Sequence, residues 1–416
     1  MRRKKAVSYK KRAINMLIAA GALAAFLALL LILRTNTSVS EWMASNVSRG
    51  WISVFSRITG IFPFSLYETF LYVAIIGGIA LTVAAIVFFC KKNAARAVTY
   101  LLVILLIGVS FGDIYTLTAG FAYYRGDVDV PYYDSEFLGD AHKEELLAVV
   151  EYMMEDFNAV SALMERDEEG RTISPYTHRE LSDKLKEEFK RLDSDYFSSF
   201  TPSAKKITSK NIMSNMHITG VFFAPFGEAN VNPNTPASDM PVTMAHELAH
   251  AKGVMRESDA NLVAYWLTIT SDDPYLRYSG YNACYYKLLS VVSFYDSHSE
   301  DKTEDNYMRL LSMMDRKIVA EELLNYEFWE KFKLLDKITE AFNDFYLKLQ
   351  GQKDGTGSYV EPTLPPGEIV TPNPNPGGDV GGSGGDKVEY VYNLNYVQRM
   401  ILRAVTERKQ REVENG

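Results

Sequence analysis

Three long apolar runs open the chain, and shorter amphipathic periods follow them. The first, Ala13–Leu33, has about twenty residues without a charge. A helix of that length spans the roughly 30 Å hydrocarbon layer of a bilayer. It is too long for the apolar core of a cleaved signal peptide, and no small-x-small site closes it, so it reads as an uncleaved anchor. Leu71–Cys90 and Ala97–Leu117 repeat the pattern, with "KKNAAR" between them. These runs predict three transmembrane helices, at about 13–33, 71–90 and 97–117, within a membrane region covering residues 1–119. Between the first two runs, Ser38–Glu68 carries Trp42, Trp51 and further apolar residues, and reads as an interfacial amphipathic stretch.

From 120 to 350 the period becomes helical. Leu146, Val149, Val150, Met153 and Phe157 fall on one stripe. "RELSDKLKEEFKRL", "ANLVAYWLTI", "YNACYYKLLSVVSFY" and "EELLNYEFWEKFKLLDKITEAFNDFYLKL" are further helices by period. "GVFFAPFGEANVN", Gly220–Asn232, breaks the pattern with a β-prone start, turn residues and alternation, so it predicts a short strand or hairpin. The expected fold class is therefore three N-terminal transmembrane helices followed by a mainly α (α+β) domain. Residues 351–387 are rich in Gly and Pro and read as a linker or disordered loop. The remainder, 388–416, forms an amphipathic helix with Leu394, Val397, Ile401, Leu402 and Val405 on one stripe and a basic opposite face. Docking onto the domain and binding an anionic membrane surface are both open for it.

Charge adds an orientation. The net charge is −8, which gives no footprint for nucleic acid, but "MRRKKAVSYKKR" and "KKNAAR" are basic. The positive-inside rule puts both in the cytoplasm and everything after about residue 120 outside, in a multi-pass protein of the cell membrane. The two cysteines, Cys90 and Cys284, make no disulfide framework.

The chemistry lies in "MAHELAHAKGVMRESDAN", Met244–Asn261. Pro241 suits a first helical turn and Gly253 a helical stop. His246 and His250 stand four apart, so both imidazoles lie on one face and reach one zinc ion. Glu247, one step round, is placed to take a proton from a zinc-activated water. After the Gly253 turn a second helix offers Glu257 as third ligand, with Asp259 the competing carboxylate. Asn261, one turn beyond Glu257, is placed to orient a ligand imidazole. Oxyanion stabilisers are sought among Tyr278, Tyr281 and Arg277 of "YLRYSGY", and His217 precedes the predicted edge strand.

"HELAH" followed by "ESDAN" resembles the gluzincins, zinc metallopeptidases with H-E-x-x-H on one helix and a glutamate on the next. In detail the chain is similar to an uncharacterised family of bacterial membrane proteins with an outward zincin-like domain. "FPFSLYE", "GVFFAPFGEANVN", "HELAHAKG", "ESDANLVAYW", "YSGY" and "LKLQGQKDGTGSY" carry that likeness. The resemblance implies a zincin-like catalytic domain over 120–350, with His246, His250 and Glu257 on zinc and Glu247 as base. It also implies that "GVFFAPFGEANVN" lines the cleft as an edge strand to which a peptide substrate adds. The connection from His250 to Glu257 is shorter than in thermolysin-like enzymes. The third histidine of metzincins would fall at Arg256, which excludes that group. The expected function is a membrane-anchored zinc metallopeptidase acting on a peptide or protein outside the cytoplasm. The alternative is a non-catalytic zinc-binding scaffold or sensor in an envelope complex. Three spans with few internal charges make a poor transport path.

Overall fold

The computed structural model describes residues 2–128, 143–192, 194–298, 305–353, 355–356, 367–371, 387–391 and 394–415. Its first helix, α1 (Arg2–Leu33), precedes two short ones, α2 (Thr37–Met43) and α3 (Arg49–Thr59), joined by a π-helical turn. Then come α4 (Leu66–Cys90) and α5 (Ala94–Tyr115). Lys11–Leu33, Leu66–Cys90 and Ala94–Gly120 are long and apolar enough to cross a membrane, and protein covers little of them. The second span starts five residues before the expected Leu71 because Ser65 caps it, accepting from the Glu68 N–H at 3.0 Å.

The remaining chain is mostly helical, with a small sheet. α6 (Lys143–Ala162) and α7 (His178–Phe189) lead to β1 (Lys205–Lys206) and α8 (Lys210–Asn215). β2 (Gly220–Phe223) and β3 (Glu228–Val231) follow. Next are α9 (Met240–Ala251), α10 (Glu257–Ile269), α11 (Pro274–His298) and α12 (Asn306–Ser312). α13 (Arg316–Glu330) and α14 (Asp336–Leu349) come from one predicted helix. It breaks between them, where the Leu335 N–H donates to Asn215 O. β4 (Gly367–Thr371) and β5 (Lys387–Val391) pair antiparallel within and just beyond the segment expected to be a linker. Most of that segment lies outside the described residues.

The last helix, α15 (Tyr396–Asn415), packs on α10, α6 and α11. Its stripe of Leu394, Val397, Ile401, Leu402 and Val405 is buried in the main core, so the helix docks onto the domain. Each such aliphatic side chain contributes about 1.5–3 kcal/mol by leaving water. The core also takes Leu146, Val150, Met153 and Phe157 from α6, and Met244, Ala245, Leu248 and Ala249 from the back of α9.

The sheet order is β1-β3-β2. β1 runs parallel to β3 and β2 antiparallel to it, with Gly220 opposite Val231 and Phe223 opposite Glu228. β3 is buried throughout, whereas β2 is the sheet's half-buried edge. The hairpin turns through Ala224–Phe226 and Gly227.

Ser38–Glu68 is not a simple interfacial stretch. Its polar face satisfies backbone groups of the β2–β3 turn. Trp51 Nε1 donates to Pro225 O at 2.9 Å, Ser56 Oγ to Gly227 O at 2.7 Å, and Thr59 Oγ1 to Phe226 O at 3.1 Å. Two acids then fasten the second span to the sheet. Glu228 accepts from the Tyr67 N–H and pairs with Lys205, which also donates to Thr59 O and Phe64 O. Glu68 accepts from the Thr208 and Ser209 N–H groups at 2.8 and 2.7 Å.

Candidate metal centre

Helix α9 separates two kinds of residue. Met244, Ala245, Leu248 and Ala249 point into the core. His246 and His250 share the opposite face, their ring centroids 4.6 Å apart. The start of α9 is held from α11, where Ser279 Oγ accepts from the Val242 N–H. Its end is set by Gly253 at φ +100°, a region a side chain rarely enters. That turn lets the six residues between His250 and Glu257 reverse the chain, which is why so short a connection suffices. Arg125, just past the third span, braces the turn. It donates to Tyr196 O at 3.1 Å and grips the Glu41 carboxylate with two nitrogens.

Glu257 opens α10 pointing back at α9. Its Oε2 lies 3.1 Å from His246 Nε2 and 3.5 Å from His250 Nε2. One ligand atom from each of the three residues lies within 4.8 Å of the others. The rings are oriented from behind. His246 Nδ1 is 2.9 Å from Asn261 Oδ1, and His250 Nδ1 is 2.6 Å from Val254 O. Both partners are acceptors, so each Nδ1 carries a proton and each Nε2 points inward, where it can hold a proton or a metal. Two imidazole nitrogens and a carboxylate therefore meet at one point, where a shared proton or a metal cation balances the charge. The same field acts on the ionisable groups. Burial works against charge on His250, but the facing Glu257 carboxylate outweighs it and raises the imidazole. Burial likewise pushes Glu257 up, yet His250 and His246 hold it low. An N₂O donor set of this kind suits zinc.

Glu247 stands beside this point without joining it. Burial pushes its carboxyl up to about 7 against the pull of both histidines. Its Oε2 is buried without a hydrogen-bond partner among the described residues. Edge strand β2 lies directly against it: a Cβ on Gly220 would stand 2.4 Å from Glu247 Oε1. Two residues on, the Phe222 ring is 6.1 Å from that of His250.

This chain belongs to the DUF3810 family. The family model, described as a protein of unknown function, matches residues 44–363. No curated protein and no solved structure matches it. In this DUF3810 chain the matched stretch includes the three converging ligands, the edge strand and two of the three spans. The family description carries no activity, so the chemistry rests on the site itself.

Several sequence candidates lie elsewhere. Asp259 does not compete with Glu257, because its carboxylate pairs with Arg256 Nε at 2.6 Å. The Tyr278 hydroxyl donates to Glu321 and that of Tyr281 to Asp156, both at 2.7 Å in the core. Arg277 is 3.0 Å from the same Asp156. These three buried residues turn toward acids in the core. His217 sits outside the site as well, its ring beside Trp329 and its Nε2 on Phe332 O.

A different set of tyrosines lies within electrostatic reach of Glu257. Tyr346 of α14 meets the hydroxyls of Tyr115, at the end of the third span, and of Tyr123. Burial raises Tyr123 and Tyr346 well above the ordinary phenol range, and the Glu257 charge adds to it. Both remain neutral donors. The only sequence hint was their position in apolar surroundings, which reads as packing.

Proposed function

We propose that the protein is a zinc-dependent metallopeptidase held in the membrane by its three apolar helices. One observation carries the reading: His246, His250 and Glu257 converge with both Nδ1 protons turned away, beside a buried carboxylate that ligates nothing. A closed structural site would use four protein ligands and needs no neighbouring base, which favours the enzyme over the scaffold or sensor. Bound by these three side chains, zinc would supply a Lewis acid and acidify water. Glu247 accepts the proton of the attacking water and returns it to the departing amine, a task suited to a carboxyl raised to about 7. A substrate strand lies antiparallel along β2, which brings its carbonyl past Glu247. The neutral hydroxyls of Tyr123 and Tyr346 take the part of oxyanion donors that Tyr278, Tyr281 and Arg277 do not fill.

Orientation follows the charges. Arg2–Arg12 and the Lys91–Arg96 loop lie at one end of the spans and the domain at the other, so the domain is extracytoplasmic by the positive-inside rule. Glu247→Gln tests the chemistry. The variant should keep its zinc and its fold and lose peptide hydrolysis, whereas His246→Ala should lose metal and turnover together. Full cellular function in a Glu247→Gln strain would refute the peptidase and leave the scaffold.

A further inference from the structure

The ligand set is one strand away from the membrane helices. On β2, Phe222 faces His250, while the next residue, Phe223, packs on Phe70 of α4 and Phe111 of α5, with centroids 5.5 and 6.1 Å apart. Tyr115, in the last turn of α5, meets Tyr346 of α14 through their hydroxyls. Neighbouring residues of one strand therefore connect the site to the spans.

The surface around this level is apolar. On α14, Ile338, Phe342, Phe345 and Leu349 fall at helical spacing, and each is more than half exposed. The same helix turns Tyr346 inward to the site. Its C-terminal turn is fixed to the end of the first span: Arg34 donates to Leu349 O at 2.7 Å and to Gln350 Oε1 at 2.9 Å. Arg34 thus ties the C-terminal end of this apolar face to the end of the first span. Ile61 and Phe62, just before the second span, expose side chains at the same end. An exposed apolar helix face of this kind suits the bilayer interface, with its side chains among the acyl chains.

We infer that the substrate is a polypeptide anchored in the same bilayer, cut within its first few residues beyond the surface on the domain side. The inference rests on the peptidase reading. A chain emerging from the membrane rises about 3.3 Å per residue, so its first residues reach β2 without unfolding any distant domain. Anchoring also replaces three-dimensional diffusion by an effective concentration near the millimolar range.

The test uses zinc-loaded full-length protein in vesicles of phosphatidylethanolamine and phosphatidylglycerol. The probes are fluorescence-quenched peptides of degenerate sequence with a palmitoyl anchor at either terminus. The spacer before the cleavable stretch is about four or about twenty residues. Both probes share one surface concentration, so their ratio isolates height above the bilayer. The short spacer should be cut about tenfold faster, and the preference should vanish in detergent. Equal rates, or faster cutting of the long spacer, would overturn the inference and leave the peptidase standing. No cleavage of any probe, soluble peptides included, would remove the peptidase reading and this inference with it. A second readout needs no turnover. A photoreactive residue four positions from the anchor should cross-link to Gly220–Phe223 in the Glu247→Gln protein. Cross-linking there only from long-spacer or free peptides would refute the placement.

Discussion

Asn261→Ala tests the metal site through a residue that would touch no metal. Its Oδ1 accepts from His246 Nδ1 at 2.9 Å, with the His246 side chain only 14% exposed. Alanine removes the acceptor and leaves a mostly buried N–H without one. A lost neutral hydrogen bond costs about 0.5–1.5 kcal/mol, and a stranded buried donor about 1–3. The imidazole is then free to rotate or to place its proton on Nε2, and both changes reduce the lone pair offered to zinc. A penalty of about 1.4–2.8 kcal/mol corresponds to a 10–100-fold loss of affinity, the usual cost of removing a partner behind a metal ligand. Asn261→Asp keeps an acceptor at the same place and should retain zinc at least as well as the native residue. The assay is competition with a chelator on metal-stripped full-length protein in nanodiscs, with a thermal melt to check the fold. Native zinc affinity in a folded Asn261→Ala protein would refute the role assigned to Nδ1. Failure of the native protein to bind zinc at all would refute the centre.

Three further outcomes are expected. Gly220→Ala would place a Cβ into Glu247, so hydrolysis should fall at least about tenfold while zinc content stays unchanged in metal analysis. Lys205→Met leaves Glu228 buried without its cation and should destabilise the protein by about 3–5 kcal/mol in a denaturant melt. Pairing it with Glu228→Gln should recover much of that loss. Protease added to intact cells should remove the domain, and protection until lysis would reverse the proposed orientation.

The convergence of His246, His250 and Glu257 was legible because its geometry is local. Two histidines at i and i+4 share a helix face whatever the fold, and Gly253 announces the turn before Glu257. The three spans were legible for a related reason, since lipid demands a long apolar helix irrespective of its neighbours. What stayed hidden depends on pairs far apart in the chain. Tyr115 and Tyr346 meet across 231 residues, and Arg34 reaches Leu349 across 315. Proximity in sequence misled at "YLRYSGY". Tyr278 and Tyr281 lie close to the motif along the chain, yet they answer the buried acids Glu321 and Asp156. Nothing local distinguishes a tyrosine that satisfies a core carboxylate from one that faces a cleft.

The linking segment Ser38–Glu68 shows the same limit with a larger consequence. Its apolar content was visible, but its serines and threonine carried the information, because they close the backbone of the β2–β3 turn. Elements on either side of residue 119 are in contact. Lys205, Glu228 and Glu68 tie the sheet to the second span, and Arg125 ties the α9–α10 turn to Glu41 between the first two. The edge strand therefore takes its position from helices that lipid must orient. Under the proposed function, substrate alignment along β2 and anchorage in the membrane would become one mechanical problem, because Phe223 packs on α4 and α5 while Gly220 of the same strand lies against Glu247.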